Sequence, residues 1–344
     1  MRTVKLSTVD AFVAFDLDCP TSAGGTRLAP DVTERETQLL ARAMTYKFAV
    51  LGVKMGGAKA AIRATPAERE DALRRYCLEI TPWVESGRFL TATDLGTRPE
   101  DFASLPGGDA DELMHSEYEG MPLDAYITGL GVAVAAEVAL GGLEGRRVAL
   151  EGFGKVGGGV ALEVAKRGGR LVALSTIEGC VMRDRGFDVQ ELLELRRRHG
   201  DRLVAHLGDD VLPPGELFAA QADLLVPGAR PGVVDERRAA ALSARVVAPA
   251  ANVPYTRAGL EALKRRGILA LADFVSNSGA TIGYVAGVKD AAHALRAVEK
   301  RVRELTRRSL EHKEGPLAGA AEIAEAHLRK WIAADQMPDG PPLA

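Results

Sequence analysis

Cysteine is scarce. Cys19, Cys77 and Cys180 are odd in number and far apart, so they provide neither a disulfide framework nor a metal-ligand spacing, and no metal is expected. Such usage fits a reducing compartment, and the cytoplasm is the expected location. Long apolar runs are also missing, since none reaches membrane-spanning length. The opening Met1-Arg2-Thr3-Val4-Lys5 lacks an apolar signal core, so no membrane partner is expected. Charge of one sign is not in excess. Lys and Arg number 44 against 47 Asp and Glu, a net charge of −3, which leaves no basic field for nucleic acid. No internal repeat is visible.

What remains is ordinary globular composition, 47% hydrophobic and 26% charged, over 344 residues. That length suits two domains at the usual size of about 100–200 residues each. One stretch stands out. Lys47 and Lys59 are embedded among apolar and glycine residues in Thr45-Tyr46-Lys47-Phe48-Ala49 and Gly56-Gly57-Ala58-Lys59. A lysine forced out of water loses its charge or finds an anion. The bland alternative is a pair of surface lysines that snorkel.

The chain reads as follows. Short β-type runs lie between Val4 and Phe15. Thr21 to Arg27 is glycine-rich and reads as a loop. Thr33 and Glu36 make a capping box for a helix to about Leu51, which delivers Lys47, and a Gly52–Gly57 loop delivers Lys59. Thr65, Pro66 and Glu68 open a second helix that Pro82 ends. Arg88 to Thr93 is a strand, with Asp94 at its exit. Polar loop residues then run to about Pro122.

From Tyr126 the composition shifts. An alanine- and valine-rich helix leads to the strand Val148–Glu151, then Gly152-Phe153-Gly154-Lys155-Val156-Gly157, a helix from Gly158 to Arg167, and the strand Leu171–Ser175. Gly-x-Gly-x-x-Gly between strand and helix has a specific physics. The first glycine allows the tight turn, the second lets a pyrophosphate approach backbone, and the third lets helix pack on strand. The helix N-terminus then attracts phosphate. Strands at Asp223–Pro227, Arg245–Pro249 and Ile268–Ala272 alternate with helices, which argues for a parallel sheet covered on both faces. Ligands of such sheets bind beyond the carboxyl ends of the strands, which favours Asn252 and Asn277 over ordinary loop asparagines. Helical patterns follow from Lys289, broken at Gly315-Pro316, and the tail from Met337 looks frayed.

The fold class is therefore α/β with two domains. Residues 1–122 form an N-terminal α/β substrate domain and residues 123–288 a Rossmann-type dinucleotide-binding domain. Residues 289–344 are helices that return to the first domain.

Several stretches together resemble one family, the glutamate/leucine/phenylalanine/valine dehydrogenases, and its leucine/phenylalanine/valine branch more than its glutamate branch. They are Gly24-Gly25-Thr26-Arg27, Met44-Thr45-Tyr46-Lys47, Gly56-Gly57-Ala58-Lys59, Asp94-Leu95-Gly96-Thr97, Thr128-Gly129, Gly152 to Gly157, Ala251-Asn252 and Asn277-Ser278-Gly279, in family order across most of the chain. The resemblance implies reversible oxidative deamination of an L-amino acid to a 2-oxo acid and ammonia, with NAD or NADP, by a homo-oligomer. It implies that Lys47 holds the substrate carboxylate, that Lys59 activates water for attack on the imino carbon, and that Asp94 shuttles a proton at the amino nitrogen. Gly24 and Asn277 would lie by the substrate. Gly152, Gly154, Val156, Gly157, Thr128, Thr176, Ala251 and Asn252 would line the cofactor site.

Two departures bear on the substrate. The glutamate enzymes carry a lysine just before the Gly-Gly pair, where this chain has Ala23. They carry a serine seven residues after the asparagine of Asn277-Ser278-Gly279, where this chain has Tyr284. Neither supplies positive charge, so an apolar substrate side chain, branched or aromatic, is expected. Where an acid would hold the cofactor ribose stands Ser175 or Thr176. Glu178 could serve as that acid, or Arg183 or Arg185 could reach a 2′-phosphate, so NAD and NADP both stay open. A non-catalytic nucleotide binder is the alternative. A hydroxy-acid dehydrogenase ranks lower, because none of the six histidines stands at a convincing strand end.

Overall fold

The computed structural model describes residues 1–107 and 112–344. Residues 108–111 of the expected polar loop lie outside the described residues. The chain divides into two compact units. One comprises Met1–Glu112 with Ile323–Pro342, the other Leu113–Glu322 with Leu343–Ala344.

The first unit is a five-stranded sheet of β1 (Arg2–Lys5), β2 (Ala11–Phe15), β3 (Ser22–Leu28), β4 (Gly56–Ile62) and β5 (Phe89–Thr93), with α1 (Glu34–Val50) and α2 (Arg69–Glu85). The strand order is β1-β2-β4-β3-β5, and β3 runs parallel to both β4 and β5. Alternation along the strands separates two faces. Val13, Phe15, Ala58, Ala60 and Ile62 pack with Leu73, Tyr76 and Ile80 of α2. Gly57, Lys59 and Ala61 take the other face, where Ala61 packs on Phe12 and Val32.

Two expectations fail here for one reason. The stretch from Thr21 to Arg27 is not a loop but a central strand, and Lys59 sits in mid-strand rather than after a loop. Glycine in a strand permits backbones to approach closely. A Cβ on Gly24 would stand 1.7 Å from the Ala58 carbonyl oxygen, and one on Gly57 would stand 2.0 Å from that of Ala41 in α1. The glycines are packing devices within the sheet, not turn formers.

Smaller differences follow the same logic of context over propensity. Glu68 does accept from Thr65, through backbone N–H at 3.0 Å and hydroxyl at 2.7 Å, but those residues form a turn and α2 starts at Arg69. Pro82 lies inside α2, which continues to Glu85 without the single i→i−4 bond that the proline removes. The tail is pinned. Arg42 donates to Asp339 and to the Gly340 carbonyl, and Ala344 N–H bonds Tyr255 O at 3.0 Å in the second unit.

The second unit is a six-stranded sheet in the order Gly179–Met182, Arg170–Thr176, Arg147–Glu151, Leu224–Pro227, Val246–Val247 and Leu269–Ala270, parallel except for the outermost Gly179–Met182. Helix Leu123–Leu140 is long and apolar enough to cross a membrane, but it is mostly buried as the core helix of this unit. It crosses helix Lys155–Lys166 at near backbone contact, since a Cβ on Gly129 would fall 2.5 Å from Val160 N. Helix Ala291–Leu310 belongs to this unit, and only Ile323–Pro342 returns to the first. Its buried stripe of Ala294, Val298, Val302 and Leu305 explains that placement.

Candidate active site

One group of candidate residues lies in the first unit. Lys59 on β4 places its Nζ 2.9 Å from Asp94 Oδ2, at the exit of β5, with 6% and 20% of the two side chains exposed. Arg27 of β3 donates its Nε to the same oxygen at 2.9 Å, and its other end pairs with Glu36 of α1. Burial alone would raise the Asp94 carboxyl. The charges of Lys59 and Arg27 outweigh it and hold the group well below the ordinary carboxylate range. The backbone around Asp94 is fixed as well, because its N–H donates to Thr97 Oγ1, which donates to the Thr26 carbonyl. Gly25 makes room for the pair, since a Cβ there would stand 3.0 Å from Asp94 Cβ and 3.3 Å from Lys59 Nζ.

Lys47 is buried on α1, 6% exposed. Thr33 caps that helix by accepting from Glu36 N–H at 3.2 Å, while the Glu36 carboxylate goes to Arg27. Two residues before Lys47, Thr45 accepts the Gly57 N–H at 2.9 Å and draws α1 onto β4. So Lys47, Gly24, Lys59 and Asp94 share one unit. Asn277 does not. It lies in the second unit, as the cofactor candidates do.

A separate group lies at the carboxyl ends of the second sheet, where the strand order reverses beside Arg147–Glu151. Gly152 has φ +85°, and a Cβ on Gly157 would stand 2.2 Å from the Gly152 carbonyl. A Cβ on Gly154 would meet nothing within 4 Å, and no side chain caps the helix Lys155–Lys166 that starts there, with Val156 in its first turn. Tight turn, open second glycine and uncapped helix N-terminus suit a dinucleotide pyrophosphate. The helix begins inside the motif rather than after it.

Beyond the last strands a second platform forms. Asn277 Nδ2 donates to Ala250 O at 3.2 Å, to Ala251 O at 3.1 Å and to Asn252 Oδ1 at 3.1 Å. Val253 follows at φ +52°, a left-handed backbone that a β-branched residue rarely adopts, and its N–H is held by the buried Asp273 carboxylate at 2.8 Å. Thr128 bonds Asp124 O at 2.7 Å and accepts Ala280 N–H at 3.1 Å, tying the core helix to this platform.

The ribose end corrects one expectation. Arg183 cannot serve a phosphate at Thr176. Its N–H pairs with Val172 O, four residues back along the strand, about 13 Å by the usual rise. Its guanidinium is held by Asp209 at 2.6 Å. Arg185 lies further along the same turn, before Phe187, whose N–H bonds Leu171 O. The antiparallel strand Gly179–Met182, absent from the sequence reading, carries both arginines away from the strand end. Arg196 is there instead, donating to Phe153 O at 2.6 Å and pairing with Asp201, whose carbonyl accepts from Thr176 Oγ1 at 2.7 Å. Glu178 is exposed beside it.

Four residues with clear places here were given no role by the sequence. Arg27 and Arg196 look like ordinary surface arginines in a linear reading. Asp273 showed only as the polar end of a strand. Glu151 was read as part of a buried strand, and its carboxylate spans the switch point by accepting Gly228 and Ala229 N–H at 3.2 and 3.1 Å. Burial pushes that carboxyl up, with the two N–H groups working against it.

Comparison with known proteins agrees in both units. A model of "Glu/Leu/Phe/Val dehydrogenase, dimerisation domain" matches residues 5–107, and one of "Glutamate/Leucine/Phenylalanine/Valine dehydrogenase" matches residues 120–324. An NADP-specific glutamate dehydrogenase of Saccharolobus shibatae is 33% identical over 279 residues, 76% of this chain and 66% of that protein. The chain thus spans just under two thirds of that relative's length. Among solved structures, a hetero-hexameric glutamate dehydrogenase from Thermus thermophilus in its leucine-bound form is 27% identical, with a TM-score of 0.78 over 95% of this chain and 88% of that one. An L-tryptophan dehydrogenase from Nostoc punctiforme, 23% identical, shares the fold with a TM-score of 0.64 over 96% of each chain.

Proposed function

The chain belongs to the glutamate/leucine/phenylalanine/valine dehydrogenase family, and from that premise we propose that it catalyses the reversible oxidative deamination of an apolar L-amino acid, branched or aromatic, to the 2-oxo acid and ammonia. The cofactor is NAD or NADP. The observation that carries the reading is the buried Lys59–Asp94 pair at 2.9 Å. A binding protein has no use for an amine and an acid locked together out of water, whereas an amino acid whose nitrogen must gain and lose protons needs both.

In this reading the first unit handles the substrate and the second the dinucleotide. Lys47 binds the substrate carboxylate, and Gly24 lets the substrate lie against β3. Lys59 takes a proton from the water that attacks the imino carbon. Asp94 moves the proton at the substrate nitrogen. Gly152, Gly154, Val156 and Gly157 hold the pyrophosphate. Thr176 marks the ribose end, and Thr128, Ala251 and Asn252 form the wall that Asn277 braces. When bound, the nicotinamide supplies the hydride acceptor. A homo-oligomer is expected, built on residues 5–107.

Ala23 and Tyr284 support the apolar side chain, because no cation stands at either position to meet a second carboxylate. Tyr284 is 41% exposed at the end of helix Gly279–Val285. Glutamate is the second reading, favoured by the names of the relatives. A panel of L-amino acids with NAD and with NADP at alkaline pH tests both. Faster cofactor reduction with leucine, valine, phenylalanine or tryptophan than with glutamate is expected. Glutamate ahead of all four would overturn the apolar assignment, and no turnover with any amino acid would favour the non-catalytic alternative.

A further inference from the structure

Asp94 Oδ2 is shared by two cations on neighbouring strands, Lys59 from β4 and Arg27 from β3, each at 2.9 Å. The two are not equivalent. A guanidinium stays protonated throughout the working pH range and binds through a rigid planar fork, whereas an ammonium is a point charge on a flexible stem that can give up its proton. Arg27 is also anchored at its far end by Glu36 of α1, with 14% of its side chain exposed. Backbone bonds flank it on both sides. Thr97 Oγ1 holds Thr26 O, and Leu28 N–H bonds Leu95 O at 2.9 Å, so the Asp94 loop and the Arg27 strand form one rigid piece.

We propose that Arg27 is a positioning residue that keeps Asp94 in place, so that Lys59 is free to leave the pair, give up its proton and serve the substrate as a base. The inference rests on the roles given to Lys59 and Asp94. The charged groups facing Asp94 are Lys59 on β4 and Arg27 on β3, with Glu36 of α1 behind Arg27. With only Lys59 left, the carboxyl loses its permanent counter-charge whenever Lys59 turns away.

Arg27→Gln and Arg27→Lys, each compared with wild type, test this. In Arg27→Gln, kcat should fall by about 10²-fold from a misplaced Asp94. KM for the amino acid should change much less. Arg27→Lys keeps the charge and protects folding, so it should recover part of the lost kcat without reaching wild type. Wild-type kcat in Arg27→Gln, or a kcat in Arg27→Lys equal to wild type or no better than in Arg27→Gln, would overturn the proposal. Lys59→Ala separates the two levels. If it loses turnover while Arg27→Gln keeps wild-type kcat, only the Arg27 inference fails. If it retains turnover, the proposed function fails first.

Discussion

The candidate residues of the two units are made of different materials. In the first unit they are charged side chains on strands and a helix, Lys47, Lys59, Asp94 and Arg27, each largely out of water. In the second unit the candidate surface is a glycine turn, a helix N-terminus, and an asparagine that braces backbone carbonyls. Charge is expensive to bury and is tolerated when it is paired, as Lys59 and Asp94 are, or hydrogen-bonded to backbone, as Glu151 and Asp273 are. An anion that only has to be held is served by fixed dipoles, which need no counter-charge of their own. Glycine has a separate task in each unit. In the first it lets strands and a helix touch, and in the second it shapes a turn.

That contrast can be broken by substitution. The largest effect is expected from Gly24→Ala, whose new Cβ would overlap the Ala58 carbonyl at 1.7 Å in mid-sheet. Destabilisation of about 4 kcal/mol or more is expected, read from denaturant midpoints. A native-like midpoint would show that β3 and β4 are not packed as described. Gly157→Ala should cost less stability and act on the dinucleotide as well, because relieving the 2.2 Å contact with the Gly152 carbonyl displaces the phosphate-binding backbone. Its cofactor Kd should rise about tenfold, some 1.4 kcal/mol, with kcat at saturating cofactor close to wild type. An unchanged Kd would place the pyrophosphate elsewhere.

Smaller effects sharpen the picture. Val253→Gly relieves a left-handed β-branched residue while keeping the N–H that Asp273 holds. Val253 is 1% exposed, so the lost burial and the entropy that glycine loses on folding should outweigh the relieved strain, for a net loss of about 1 kcal/mol. A gain of stability in urea titration would mean that the backbone strain is larger than the packing of the side chain. The smallest effect belongs to Glu79, which accepts from the N–H and hydroxyl of both Ser7 and Thr8. Burial works against it, but the four bonds together outweigh that and lower its carboxyl from 4.5 to about 2. A depressed acid stabilises the fold above its unfolded value and loses that contribution as pH falls through its folded value. The Tm difference between wild type and Glu79→Gln should therefore be largest above pH 4.5 and vanish near pH 2. A difference that grows towards low pH would contradict the assignment.

Much of this was legible in the chain. The glycine turn and the strands that flank it follow from residues with few alternatives, and the family resemblance, rather than any local spacing, singled out Lys59 and Asp94. What escaped has a common physical cause. Gly24 and Gly57 were read as loop residues because a propensity says nothing about a neighbouring backbone 2 Å away. The strand Gly179–Met182 is short and borrows its pairing from Arg170–Thr176, and with it went the placement of Arg183 and Arg185. Arg27, Arg196, Asp273 and Glu151 act through partners distant in sequence, so no local spacing marks them.

Turnover and dinucleotide binding measured side by side on Lys59→Ala test the central claim most directly. The expected result is a loss of turnover of about 10³-fold with every amino acid in the panel, while the cofactor binds with wild-type Kd, because Lys59 and the glycine turn belong to different units. Wild-type turnover in that variant would contradict the account, since an amine that can be removed without effect is not the one that handles the substrate's protons.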